Sequence, residues 1–168
     1  ILDSIHKEDQ TYRMQIQDIE KKYGRDSDEM KKHWGLINQK DKINLIKIQK
    51  ILDERGWLGP DVIGEKGNTT LFLVIQHSSQ EVQEKYLPLM RDAVKQGNAR
   101  AGSLALLEDR VALGKGEKQI YGSQIGRVQE TGEYYLLPLI DPDNVNNRRE
   151  KVGLGPIEEY ISIWDMTR

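Results

Sequence analysis

GEKGNTTLFLVIQHSS, residues 64–79, contains the longest apolar run of the chain, LFLVI at 71–75, and reads either as a strand or as a buried helix. A run this short fits both, because periodicity separates them only over longer windows. The segments on either side carry helical spacing and are joined to it by short connections, which favours helix. That choice makes the chain mainly α: a compact multi-helix domain, single over residues 1–168, with one β-hairpin near residues 118–139.

Upstream, Leu2, Ile5, Tyr12, Ile16, Ile19 and Tyr23 follow one another at helical spacing, predicting a helix over 2–23 that Gly24 ends. One place in that stripe is taken by Asp9. An unpaired carboxylate in a core stripe costs several kcal/mol, so it must be paired, protonated or facing a wet cavity. Arg13 stands one turn on. The two form an ion pair at a helix edge or line a polar pocket together.

The stretch 28–55 is helical again, and its polar run NQKDK at 38–42 suggests two helices with Asp41 capping the second. Read as one helix, Asp41 would sit in the stripe, four residues after Ile37. Ser78 and Glu81 make a capping box for a helix over 79–96, in which Pro88 should place a kink and which Gly97 should end. Residues 99–113 are apolar nearly all round, a helix central to the domain. Near its end stand Glu108, Asp109 and Arg110, which point in three directions, so that at least one of them faces inward.

The period then changes. QIYGSQIGRV at 119–128, a Thr131-Gly132 turn and EYYLLPLI at 133–140 predict the hairpin. In an extended strand Gln119, Tyr121 and Ser123 would share one face, and Ile120, Gly122 and Gln124 the other. Asp141-Pro142 opens a short helix that Gly153 closes, and Pro156 opens a last one ending near Trp164.

Composition sets limits. Charged residues make up 31% of the chain and the formal charge is −2, with both signs interleaved, so no basic face for nucleic acid is expected. No run approaches a membrane span. There is no cysteine, hence no disulfide, thiolate nucleophile or cysteine-based zinc site. No two histidines have metal-ligand spacing, and His6 and His33, in lysine-rich surroundings, are expected to be solvated. GKGEK at 114–118 lacks the P-loop pattern, and no cofactor signature is present. The chain begins at Ile1, which leaves a cytoplasmic location and export with removal of a leader both open. Oligomeric state is open as well.

His77, after the apolar run and beside Gln76, is either a hydrogen-bonded core residue or a proton carrier. Asp109-Arg110 could staple helices to hairpin, and Gln119 and Tyr121 could line an exposed strand. Together these residues have the composition of a polar pocket.

The same residues carry a resemblance to a family of uncharacterised bacterial proteins of unknown function. Its pattern of Asp-Gln-x-x-Arg, Gly-Trp-Pro, Gln-His, Asp-Arg, Gln-x-Tyr-Gly-Thr-Gln and a late Arg before Gly-Leu is met here in order. The matching residues are Asp9, Gln10 and Arg13; Gly56-Trp57; Gln76-His77; Asp109-Arg110; Gln119, Tyr121, Gly122 and Gln124; and Arg149 before Gly153-Leu154. Asp41 and Gln83 fit further positions. Leu58 and Ser123 depart from it, where the pattern has proline and threonine.

The resemblance implies no reaction, but it favours the pocket. One expectation is a cofactor-independent, hydrolase-like enzyme acting on a small polar or anionic substrate. His77, Asp9 and Tyr121 would be catalytic, and Gln10, Arg13, Gln76, Asp109, Arg110, Gln119 and Gln124 would bind the ligand. The other is a non-catalytic module holding a ligand or a partner's side chain in the same place.

Overall fold

In the computed structural model, which describes residues 1–164 and 166, the chain is mainly α with one antiparallel hairpin. Its contacts divide it into two units, Ile1–Val82 and Gln83–Arg168.

The first unit is built from helices α1 (Leu2–Met14), α2 (Ile16–Tyr23), α3 (Asp28–Arg55) and α4 (Pro60–Gln76), and it ends within α5 (Gln80–Lys95). The helix expected over 2–23 is therefore two. They meet at Gln15, whose N–H donates to the Tyr12 carbonyl at 3.2 Å, a tighter turn than the α-helical one.

The break expected in NQKDK does not occur. α3 is continuous from its Ser27 cap, whose hydroxyl accepts from the Met30 N–H at 3.1 Å, to Arg55. No proline or glycine interrupts residues 38–42, and polar side chains are no obstacle where a helix face meets water. Asp41 is thus inside the helix and caps nothing.

LFLVI is helical, as its neighbours suggested. α4 starts earlier than the apolar run, with Gly59 as its cap and Pro60 in its first turn, where a missing N–H costs nothing. It bends at Gly64 and then buries residues on nearly every side, among them Leu71, Phe72, Val74 and Ile75. α1 packs on α3 and α4. The approach to α4 is close at Gly67, where a Cβ would stand 3.1 Å from Leu2 Cδ1. Ile5, Met30, Ile37, Ile48 and Leu52 complete this core. The Ser78 hydroxyl donates to the Ile75 carbonyl at 2.6 Å, and α5 begins at Gln80.

The second unit contains most of α5, which runs through Pro88, then α6 (Ala101–Gly114) and strands β1 (Ile125–Arg127) and β2 (Tyr134–Leu136). A 3₁₀ turn at Pro142–Asn144 leads into α7 (Val145–Lys151) and α8 (Ile157–Ser162). The strands pair Ile125 with Leu136, Gly126 with Tyr135 and Arg127 with Tyr134. Val145, Ile157 and Ile161 form a small core with Leu136, Leu139 and Tyr160 against them.

The strands are shorter than the alternating pattern predicts. Residues 119–124 form a loop, so the two-face assignment of Gln119, Tyr121 and Ser123 against Ile120, Gly122 and Gln124 does not hold. Gly122 is required in that loop. Its φ is 68°, and a Cβ there would lie 2.5 Å from Ile157 Cδ1. Gly122→Ala is expected to cost about 2 kcal/mol or more, from left-handed backbone strain together with overpacking. A urea unfolding midpoint equal to that of the wild type would refute this.

Candidate functional site

The first unit gathers five of the polar residues singled out above. Asp9 lies on the buried face of α1 with 2% of its side chain exposed, and His77 is the residue that caps α4 at its C-terminus. Their separation in sequence is large, but Nδ1 of His77 stands 2.9 Å from Oδ1 of Asp9. An ionised carboxylate can only accept, so the imidazole proton belongs on Nδ1. Nε2 then carries the lone pair. It has no hydrogen-bond partner among the described residues, and the His77 side chain is 16% exposed.

The rest of the cluster holds the Asp9 carboxylate with hydrogen bonds. Gln10 Nε2 donates to Asp9 Oδ2 at 2.7 Å. Arg13 Nη1 donates to the Asp9 backbone carbonyl at 2.9 Å and to Oδ1 at 3.2 Å. The same guanidinium forks onto Asp41, with Nη1 to Oδ1 at 3.0 Å and Nη2 to Oδ2 at 2.7 Å. Arg13 therefore ties two carboxylates, and four of its hydrogen bonds go to the protein. Burial pushes the Asp9 carboxyl up, but the His77 hydrogen bond, Arg13 and Gln10 together outweigh it and hold Asp9 below the usual carboxylate range.

His33 corrects the expectation of a solvated ring. It is buried on α3, with Nε2 2.6 Å from the Tyr12 carbonyl. Asn44 is also fully buried in the α3 stripe and was not foreseen. Both become legible once α3 is read as continuous, since Met30, His33, Ile37, Asp41, Asn44, Ile48 and Leu52 then follow at steps of three and four. Gln76, the last residue of α4, is buried too. Among the described residues, no three His, Asp or Glu side chains are grouped to hold a metal ion.

The second unit gathers the other motif residues around the loop 119–124. Asp109, fully buried on α6, accepts three backbone N–H groups: Ile120 at 2.6 Å and Tyr121 at 2.9 Å on Oδ1, and Ser123 at 2.9 Å on Oδ2. Gln119 Nε2 donates to the carbonyls of Gln124 and Leu137, and its Oε1 accepts the Gln124 N–H at 2.9 Å. From the other side Arg148 Nε reaches the Ile120 carbonyl, Arg149 Nη1 the Tyr121 carbonyl and the Tyr160 hydroxyl the Ser123 carbonyl. Backbone bonds to residues 137–140 hold the two ends, Gln119 and Gln124, and between them side chains replace the ladder that a strand would have used.

Asp109 and Gln119 thus spend their polar atoms on the fold. The Gln124 amide donates to the Ser123 hydroxyl at 2.9 Å, and Arg110 is half-buried on α6. The Tyr121 hydroxyl is half-buried near the Glu108 carboxylate. Burial first, and then the charges of Glu108 and Asp109, push it above the usual phenol range, so it remains a proton donor. Arg149, buried and stacked over the Tyr160 ring at 5.3 Å, is a structural clamp that its place in the motif alone did not reveal.

Among the described residues, no helix is long and apolar enough to cross a membrane. No curated protein and no solved structure matches the chain. A family of unknown function, DUF6624, matches residues 2–167, and the chain belongs to that family.

Proposed function

We propose that the first unit carries a proton-transfer site in which Asp9 fixes and orients His77, and His77 Nε2 is the general base. The carrying observation is the 2.9 Å contact between Nδ1 and a buried carboxylate, with Nε2 unpartnered among the described residues. An imidazole held in this tautomer takes a proton at Nε2 while the carboxylate stabilises the imidazolium formed. Arg13, anchored by Asp41, and Gln10 act from behind, helping to keep Asp9 ionised without giving it a proton.

The reaction that needs no more than this is hydrolysis of a small polar substrate. Water loses a proton to Nε2 as its oxygen attacks the electrophilic carbon, and the imidazolium returns that proton to the leaving group. No covalent intermediate is required. Arg13 is not needed as an anion clamp, since Nη1 and Nη2 already bond to Asp9 and Asp41.

The test is a panel of chromogenic esters, amides and phosphate esters offered to the wild type and to His77→Gln. On whichever member is turned over, the variant is expected to lose 10²–10⁴-fold in kcat, on the order of a general base's contribution, while remaining folded at the assay temperature. If turnover survives in His77→Gln, the assignment is wrong. If ligands stabilise wild type and variant alike and neither turns over any substrate, the site is a binding module.

A further inference from the structure

The amide of Asn44 is out of place in a way that the dyad does not explain. The residue is 0% exposed, at the middle of a long helix, and neither Nδ2 nor Oδ1 has a hydrogen-bond partner among the described residues. A helix interior gives an asparagine no capping role, and in the stripe Asn44 has Asp41 on one side and the aliphatic Ile48 and Leu52 on the other. Burying an unpaired primary amide opposes folding, so the sequence carries a cost there that leucine would avoid. Locally unfavourable choices of this kind concentrate where a protein meets a ligand.

Along α3 it stands next to the support of the dyad. Asn44 follows Asp41 by three residues on one face of α3, and Asp41 is joined through Arg13 to Asp9 and His77. We infer that Asn44 is a binding and specificity residue of the same site, recognising a ligand that carries an amide-like edge: a carboxamide, urea or lactam. Such a group offers an acceptor beside a donor in one plane, the complement of Nδ2 and Oδ1. A carboxylate could satisfy only the donor and would leave Oδ1 facing a like charge. The inference rests on the proton-transfer reading for the location of the site, and it narrows the substrate class to amide-type compounds.

The experiment is a titration of ¹⁵N-labelled protein with acetamide and with N-methylurea, following the Asn44 side-chain NH₂ signals, with acetate as the charged control. Saturable shifts with the two amide probes and none with acetate are expected. Asn44→Leu should abolish probe binding and raise the melting temperature, because the unpaired amide is gone. His77→Gln should leave probe affinity within a few-fold. Equal probe binding by wild type and Asn44→Leu would overturn the inference. So would a lowered melting temperature in Asn44→Leu with no probe effect in the wild type, since the amide would then be structural. Probe shifts at Asn44 in a protein whose His77 proton proves to lie on Nε2 would support amide recognition and sink the catalytic reading, so the two failures are distinct.

Discussion

Asp109→Ala is expected to lower stability by about 4 kcal/mol, because three buried N–H groups lose their acceptor at once and each unpaired group costs about 1–3 kcal/mol before relaxation. In a chain of this size that corresponds to a fall of about 10 °C in melting temperature. The loss is large against a total stability of about 5–15 kcal/mol. Asp109→Asn should fall between wild type and alanine. An amide oxygen can still serve Ile120 and Tyr121, but its NH₂ group would confront the Ser123 N–H. Hydrogen exchange should quicken at those same three amides. An unfolding midpoint unchanged in Asp109→Ala would remove the structural role assigned to this carboxylate.

The second large effect is in the other unit. Arg13→Ala leaves the Asp9 and Asp41 carboxylates without their shared cation, and the cost is expected to be about 3 kcal/mol at pH 7, the low end for stripping one partner from a buried pair. Its pH dependence has a definite sign. Asp9 is held below its ordinary value of about 3.9. The stability it contributes is therefore present above that value and is lost as pH falls through its depressed one. Without Arg13, burial is less opposed and the Asp9 carboxyl rises. The penalty of the variant should thus be greatest near neutrality and should shrink toward pH 4, as the carboxyl becomes protonated in the folded state. Urea unfolding of both proteins at pH 7 and pH 4 measures this. An equal loss at both would mean that charge is not the cause.

Much of this was legible in the sequence, for identifiable reasons. Asp9 was conspicuous because it interrupts an apolar stripe that otherwise keeps its spacing, and a helical LFLVI followed from its neighbours. α3 was less legible. A polar run imitates a boundary, and the reason Asp41 belongs inside the helix is Arg13, far away in the chain. The loop 119–124 misled differently. Its alternation satisfies a strand pattern, but the groups that decide its path are Asp109, Arg148, Arg149 and Tyr160, brought in by tertiary structure. Local pattern could not reveal that Asp109 and Gln119 have their polar atoms committed to backbone. Asn44 was hidden by the same misplaced boundary as Asp41.

The central claim is that His77 is held by Asp9 with its free nitrogen available for chemistry. Long-range ¹H–¹⁵N correlation of the imidazole, in wild type and Asp9→Asn, tests it most directly. The account predicts a single neutral tautomer protonated on Nδ1 in the wild type, and its loss in Asp9→Asn. A ring protonated on Nε2, or a spectrum indifferent to the Asp9 substitution, would contradict it.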